Sequence, residues 1–142
     1  MICKAKRVDK KATLPEYKTL LSAGADLVAI ESVTLAHGDT HKFRTGLVFE
    51  PPPGYHLKVR QRSGLSTKYP NYIMNNTGVI DEDYRGEVFI PIKNNSPDYM
   101  RIKAGDRIAQ IMIEPTLHVD FIDADDLSET DRGPGGFGHT GR

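Results

Sequence analysis

Residues 42–61 read KFRTGLVFEPPPGYHLKVRQ, and this stretch decides the fold class. Two runs rich in β-branched and aromatic residues, 42–49 and 55–61, flank the sequence PPPG at 51–54. Val, Phe, Tyr and Leu in short runs favour strands, and a Pro-Gly sequence between such runs favours a turn. The stretch therefore predicts two short β-strands joined by a tight connection.

The rest of the chain continues this pattern of short strands and frequent breaks. Further strand-like runs occupy 87–93 and 107–114, and Pro91 within the first of these predicts an edge position or a bulge. Residues 13–21 and 125–129 could each form a helical turn or two, but no long amphipathic helix is predicted. Closely spaced strands of this kind predict an all-β sandwich, barrel or jelly roll.

Length, charge and cysteine content narrow the class of protein. The 142 residues suit one domain, and 19 Lys and Arg balance 19 Asp and Glu. With no net charge, neither nucleic acid nor a membrane is an expected partner, so any anion site must be local. The lone Cys3 and the lack of an apolar signal segment or of a 20-residue apolar run favour a cytoplasmic protein.

The last eleven residues differ in composition from the preceding chain. Residues 132–142 read RGPGGFGHTGR, which contains too little apolar surface to form a core. They could be a frayed terminus, or a flexible arm whose backbone amides wrap a phosphate while Arg132 and Phe137 hold two parts of a ligand. The predicted organisation is a β-domain at 1–131 followed by an arm at 132–142.

An acidic segment carries the first candidate site. Residues 78–87 read GVIDEDYRGE, with Asp81 and Asp83 on one face if the chain is extended. Solvated acids in a turn are the alternative. The neighbouring Tyr84 offers a flat apolar surface, and a carboxylate beside it could activate water next to a bound ring.

Three shorter strings are each weak predictors by themselves. RSGLS at 62–66 combines a forked donor, a hydroxyl and a glycine that lets backbone approach an anion, although a plain turn is the commoner reading. AGADL at 23–27 places one acid after small residues, and GDRIAQ at 105–110 predicts a turn entering a strand, with Gln110 a possible inward donor. No Walker A loop, dinucleotide fingerprint or G-x-S-x-G elbow occurs in the sequence.

The order of these strings is specific. AGADL, RSGLS, GVIDEDYRG, GDRIAQ and RGPGGFGHTG resemble the five ordered motifs of the trimeric dUTP pyrophosphatase family, over most of the chain from about Ala23 onward. The resemblance implies a jelly-roll-like homotrimer with active sites between subunits. It also implies Mg²⁺-assisted hydrolysis of dUTP to dUMP and diphosphate, which lowers dUTP and supplies dUMP for thymidylate synthesis.

The resemblance further implies roles for individual residues. Asp81 is expected to be the base that activates the water attacking the α-phosphorus. Tyr84 is expected to lie against the deoxyribose and to exclude a 2′-hydroxyl. The implied uracil contacts are Asn75, Phe89 and the hairpin residues Val79, Ile80 and Asp81.

The remaining implied contacts concern the triphosphate. Asp26 is expected to anchor Mg²⁺ through its waters. From the arm, Arg132 is expected to reach the γ-phosphate and Phe137 to close over the uracil, with Gly138 beside them. The residues implied to hold the phosphates are Arg62, Ser63, Gly64 and Gln110.

The sequence departs from the family pattern at three positions. His139 stands where a serine is usual in the tail, and an imidazole N–H could replace that hydroxyl. Gln61 replaces a common proline, and Ala25 a common aromatic or Met residue. None of these changes alters Asp81 or Asp26.

Two other functions compete with this prediction. A dCTP deaminase would have a similar fold, but it relies on a glutamate in the third motif, and Glu82 should point away if Asp81 points into the site. A regulatory binding protein built on the same scaffold is the second alternative, and it would control a partner in a nucleotide-dependent manner.

Overall fold

The computed structural model describes residues 1–69, 71–73, 77–136 and 139. Within them, short β-strands dominate and one helix, α1, covers Ser63–Lys68 between the sixth and seventh strands. The all-β prediction is therefore confirmed. The strands are β1 Lys4–Arg7, β2 Ala25–Val28, β3 Val33–Leu35, β4 Thr40–Arg44, β5 Leu47–Glu50, β6 Tyr55–Gln61, β7 Asn71–Ile73, β8 Thr77–Ile80, β9 Phe89–Asn94, β10 Met100–Ile102 and β11 Arg107–Pro115.

The strands pair in an entirely antiparallel manner. One sheet has the order β2-β11-β6-β8, another has the order β4-β9-β7, and β1-β5 and β10-β3 form two smaller pairs. Strand β6 is paired along both edges, with β11 from Ala109↔Gln61 to Pro115↔Tyr55 and with β8 from Leu57↔Ile80 to Arg60↔Thr77. This double pairing makes β6 a rigid element, and it matters for the site.

The core lies between the sheets and follows strand alternation. Phe43 on β4 and both Ile90 and Ile92 on the neighbouring strand β9 are completely buried, and they alternate with residues that are partly or fully exposed. Each such side chain contributes roughly 1.5–3 kcal/mol of transfer free energy. The buried Asn94 is fully bonded, because its amide donates to the carbonyl oxygens of Leu35 and Asp98 and its oxygen accepts from the Ser96 amide.

The predicted strand 42–49 is interrupted in the structure. Strand β4 ends at Arg44 and β5 begins at Leu47, because Gly46 adopts a φ of +67°. A Cβ atom at Gly46 would also lie only 2.8 Å from the Cβ of Ala12. A side chain at this position is therefore both strained and crowded, and the turn requires glycine.

The prediction of an edge position or a bulge at Pro91 is wrong, because the pairing of β9 with β4 also runs through Lys42↔Pro91 without a register shift. Strand β9 is central in its sheet, between β4 and β7. The amide of Asn94 donates toward β4, to Asp39, so the nitrogen of Pro91, three residues earlier, faces the opposite side. The described pairing with β7 ends at Ile73↔Ile92, one residue short of Pro91. Its missing N–H therefore removes no described ladder bond.

The plain turn favoured for RSGLS is also wrong, because these residues enter α1. The Ser66 amide donates to the Arg62 carbonyl oxygen, and the Ser66 and Thr67 hydroxyls donate to carbonyls four residues back. Pro70 follows in the sequence and favours an end to the helix there. Residues 13–21 form no helix, although the Ser22 amide donates to the Thr19 carbonyl oxygen and closes one turn at the end of that stretch, and residues 125–129 form no hydrogen-bonded turn. No helix in the described chain has the length and apolar character needed to cross a membrane.

Candidate functional site

A polar cleft of about 300 Å³ lies beside α1, between the end of β6 and the first residues of β2 and β11. Strand pairing creates this cleft, because Asp26 on β2 is opposite Gln110 on β11 and Gln61 at the end of β6 is opposite Ala109. We call it the anion pocket. Its principal lining residues are Gly24, Asp26, Arg62, Ser63, Gly64, Arg107 and Gln110.

Asp26 organises the charges in the anion pocket. Its carboxylate is buried, with Oδ1 2.7 Å from Nε of Arg62 and Oδ2 2.9 Å from Nη1 of Arg107. Arg62 also donates from Nη1 to the carbonyl oxygen of Arg107 at 3.2 Å. Two guanidinium groups around one carboxylate leave an excess of one positive charge, and Lys18, which also lines the pocket, is paired with Glu16. This local excess supplies the anion site that the neutral chain as a whole does not favour.

The other walls of the anion pocket are set by close packing. Gln110 donates from Nε2 to the carbonyl oxygen of Gln61 at 2.9 Å, which fixes the amide group in the cleft. A Cβ atom at Gly24 would lie 2.7 Å from Oε1 of Gln110, so glycine is needed to admit that side chain. Ser63 and Gly64 begin α1, where their amides precede the first intrahelical bond.

A second cleft, of about 310 Å³, lies on the hairpin after β8. It is more apolar than the first, and we call it the nucleoside pocket. Val79, Tyr84 and Phe89 contribute exposed apolar surface, with 51%, 43% and 43% of each residue accessible. The predicted site residues in its lining are Val79, Ile80, Asp81, Tyr84 and Phe89.

The turn after Ile80 places one acid at the nucleoside pocket and another away from it. The Tyr84 amide donates to the Asp81 carbonyl oxygen at 3.2 Å, which closes the turn. Glu82 instead accepts a hydrogen bond at Oε2 from the Gly54 amide, 2.8 Å away in the PPPG connection. Asp81 lines the nucleoside pocket, whereas the described carboxylate contact of Glu82 lies on the opposite connection.

The two pockets lie at opposite ends of β6 in one chain. Ile80 pairs with Leu57, so Asp81 lies level with His56, whereas Arg62 follows the other end of the strand. Six residues at about 3.3 Å each separate them by roughly 20 Å. The predicted phosphate residues and the predicted base are therefore each assembled locally, but the structure of one chain does not bring them together.

The described residues of the predicted arm make contacts within their own segment. Arg132 is exposed, and its Nε donates to the carbonyl oxygen of Gly135 at 2.8 Å within its own segment. The His139 amide donates to the carbonyl oxygen of Gly136. Asn75, Phe137 and Gly138 lie outside the described residues.

Of the two cations that pair with Asp26, the sequence reasoning missed Arg107. It is the third residue of GDRIAQ and the first of β11, and its guanidinium shares Asp26 with Arg62. A cation at the start of the strand that carries Gln110 was a visible signal. Only the strand register shows that it faces Asp26, which lies 81 positions earlier in the chain.

The donor set limits how a divalent cation can bind. Within the described ranges, no group of three or more His, Cys, Asp or Glu side chains is arranged to hold a metal ion. A carboxylate has about four acceptor positions, and the two arginines leave some of those on Asp26 for water. The anion pocket therefore suits Mg²⁺ that is held mainly by phosphates and contacts Asp26 through water.

Comparison with known proteins gives a consistent result along the whole chain. A family model described as dUTPase matches residues 10–141. The chain is 42% identical to the deoxyuridine 5'-triphosphate nucleotidohydrolase of Nautilia profundicola, over 100% of both sequences. Its structure resembles the Staphylococcus bacteriophage 80alpha dUTPase with dUPNHPP, with a TM-score of 0.91, 28% identity and 99% of each chain covered.

A third similarity concerns the fold alone. A mutant dUTPase from phage phi11 of S. aureus is 24% identical, with a TM-score of 0.81 over 89% of this chain and 98% of the other. That phage protein coordinates a structural Mg(II) ion.

Proposed function

Because this chain belongs to the dUTPase family, we propose that it hydrolyses dUTP to dUMP and diphosphate by Mg²⁺-assisted attack of water on the α-phosphorus. One observation carries this proposal. The predicted residues segregate into a cationic pocket and an apolar pocket with a carboxylate. These are the two surfaces that a nucleoside triphosphate requires.

The anion pocket would bind the phosphates. Arg62 and Arg107 supply forked donors, and Gln110 and the start of α1 add neutral ones. Phosphoryl hydrolysis depends mainly on positioning and charge neutralisation, which such a donor set provides. Asp26 would keep both guanidinium groups oriented before substrate arrives, so little reorganisation is needed on binding.

The nucleoside pocket would select deoxyuridine and supply the base. Asp81 would accept a proton from the attacking water. Tyr84 would pack on the deoxyribose and leave no room for a 2′-hydroxyl. Asn75 and backbone groups of the hairpin would present fixed donors and acceptors to uracil, and a cytosine edge would leave them unpaired.

The separation of about 20 Å between the pockets supports a composite site. The base of one subunit would then act on phosphates held by another, in a homotrimer. The arm at 132–142 would complete the site, with Arg132 at the γ-phosphate and Phe137 and Gly138 over the nucleotide. Closure by such an arm would exclude water only when substrate is present.

Magnesium would bind with the triphosphate, with Asp26 contacting its waters. When bound, it would neutralise phosphate charge and hold the chain of phosphates in one conformation. The product dUMP would supply thymidylate synthesis, and removal of dUTP would keep its concentration low.

The contact of Glu82 disfavours the deaminase alternative. A deaminase requires the glutamate of this motif beside the nucleobase, but the carboxylate of Glu82 accepts a hydrogen bond from the Gly54 amide. No described contact specifically favours a purely regulatory role.

The decisive experiment is diphosphate release from each dNTP and from UTP, with and without Mg²⁺. Of these nucleotides, we expect only dUTP to be hydrolysed rapidly. We expect the Asp81→Asn variant to bind dUTP with almost no turnover, because an amide keeps the shape of the carboxylate but accepts no proton. Ammonia release from dCTP, or full activity of Asp81→Asn, would refute the proposal.

A further inference from the structure

An ion-pair cluster at the end of β4 includes Glu87, which is one of the residues lining the nucleoside pocket. Arg44 donates to Glu87 from Nε, 3.2 Å from Oε1, and from Nη2, 3.0 Å from Oε2. Its Nη1 lies 3.3 Å from Oδ2 of Asp9. The side chain of Glu87 is largely buried, with 14% accessible. Neither the sequence motifs nor the proposed chemistry assigns a role to Arg44.

The cluster fixes the backbone at Glu87 as well as its carboxylate. The Gly46 amide donates to Oε1 of Glu87 at 2.8 Å. The next residue, Val88, donates its amide to the Leu47 carbonyl oxygen at 2.8 Å and accepts at its own carbonyl from the buried Thr45 hydroxyl at 2.6 Å. The turn between β4 and β5 thus holds Glu87 and Val88 at several points.

The fixed carbonyl of Glu87 is the hydrogen-bond partner of Tyr84. The Tyr84 hydroxyl donates to that oxygen at 3.1 Å, while the Tyr84 amide donates to Asp81 at 3.2 Å. The ring also crosses Gly86 so closely that an added Cβ would collide with its hydroxyl. Tyr84 is therefore held by its backbone amide, by the packing of its ring on Gly86 and by its hydroxyl group.

We propose that Arg44 is a positioning residue for sugar selection: by clamping Glu87 it fixes the carbonyl that holds the Tyr84 hydroxyl, and so sets the ring at the angle that rejects a 2′-hydroxyl. This inference rests on the proposed function, in which Tyr84 packs against deoxyribose. It adds a residue that lines neither pocket and acts through Glu87, which lines the nucleoside pocket.

The physical reason is the freedom of an exposed aromatic ring. With 43% of Tyr84 accessible, neighbouring side chains do not fully restrict its torsions, so the hydroxyl bond decides among staggered rotamers. If Glu87 shifts, that bond lengthens and the ring can move aside. A ribonucleotide then gains access, while deoxyribonucleotide binding changes less.

The experiment compares Arg44→Gln, Tyr84→Phe and the double variant, using kcat/KM for dUTP and for UTP. We expect each single change to raise the UTP/dUTP ratio by about threefold to tenfold, the effect of one hydrogen bond. The double variant should match the single ones within about twofold, because both changes remove the same bond. Lys4→Gln, which removes an exposed ion pair with Glu50, is the matched control and should leave the ratio unchanged.

The outcomes separate this inference from the proposed function. No hydrolysis of dUTP by the wild-type protein refutes the proposed function. Normal wild-type activity with an unchanged ratio in Arg44→Gln or Tyr84→Phe overturns the inference alone, and so do effects that multiply in the double variant. If thermal unfolding shows that Arg44→Gln is not folded, Arg44→Lys, which keeps the charge but loses the fork, is judged by the same ratio.

Discussion

Nη1 of Arg107 lies 2.9 Å from Oδ2 of Asp26, on a carboxylate whose other oxygen is already paired with a second guanidinium group. The shared carboxylate of Asp26 holds the guanidinium groups of Arg62 and Arg107 close together. Removing one partner of such a buried set leaves the others uncompensated. The arrangement joins side chains from β2, from β11 and from the N-cap of α1.

Arg107→Gln should weaken dUTP binding. A charge-assisted hydrogen bond contributes about 1.5–3 kcal/mol, so KM should rise by about tenfold to a hundredfold, with a smaller change in kcat. Steady-state kinetics with dUTP measure this, and Arg101→Gln, on an exposed position of β10, is the control. An unchanged KM for Arg107→Gln would remove this residue from the phosphate site.

The separation along β6 predicts complementation between damaged chains. Arg62→Gln and Asp81→Asn should each be almost inactive, because each damages one half of every site. Refolded together in equal amounts, they should regain activity in about a quarter of the sites. In those sites the Asp81→Asn chain supplies the intact phosphate half and the Arg62→Gln chain supplies the intact base. No recovery, with mixed trimers verified by native mass spectrometry, would mean that each chain closes its own site.

Gly24→Ala should act through Gln110. The added methyl group would lie 2.7 Å from Oε1 and 3.2 Å from Cβ of that side chain, so Gln110 must leave its position. We expect KM for dUTP to rise severalfold, while the midpoint of thermal unfolding falls only slightly. Gly78→Ala is the comparison, since its methyl group meets Val59 at an ordinary 3.5 Å. Equal effects of both substitutions would contradict the prediction.

Glu31 should contribute acid-sensitive stability. Burial opposes its ionisation, but hydrogen bonds from His41 and from the Arg44 amide lower the pKa of Glu31 below its usual value. The unfolded chain then takes up a proton at a higher pH than the folded one. The stabilisation is therefore complete above the ordinary glutamate pKa of about 4.3 and is lost as the pH falls through the lower folded-state pKa.

Thermal unfolding between pH 7 and pH 3 tests this contribution. The wild-type midpoint should fall more steeply below about pH 4.3 than that of Glu31→Gln, which lacks the titrating group. Glu129→Gln, at an exposed position, should follow the wild-type curve. Parallel curves for wild type and Glu31→Gln would show that Glu31 contributes no linked stability.

The sequence predicted the parts of the fold that depend on local pattern. Strand β6 has the predicted limits, and β11 extends the predicted run by one residue. The break at Gly46 was not predicted, because one glycine inside an apolar run does not by itself reveal the positive φ that it adopts here. The helix at Ser63–Lys68 was missed because a six-residue helix shows no apolar period.

The candidate site was predictable in membership but not in arrangement. Motif order identified Arg62 and Asp81 as site residues, and each lines a pocket. Strand register, which no local pattern encodes, places them at opposite ends of β6. For the same reason the pairing of Arg107 with Asp26 follows from the structure alone.

The unbalanced charge in the anion pocket has a practical consequence for solution work. One carboxylate neutralises only one of two guanidinium groups, so a small oxyanion from the medium can take the place of the substrate's phosphates. Phosphate or sulfate buffers should therefore compete with dUTP and report a weaker apparent affinity than chloride buffers of equal ionic strength. Diphosphate, once released, should compete in the same way, so progress curves should slow as it accumulates unless a pyrophosphatase is added.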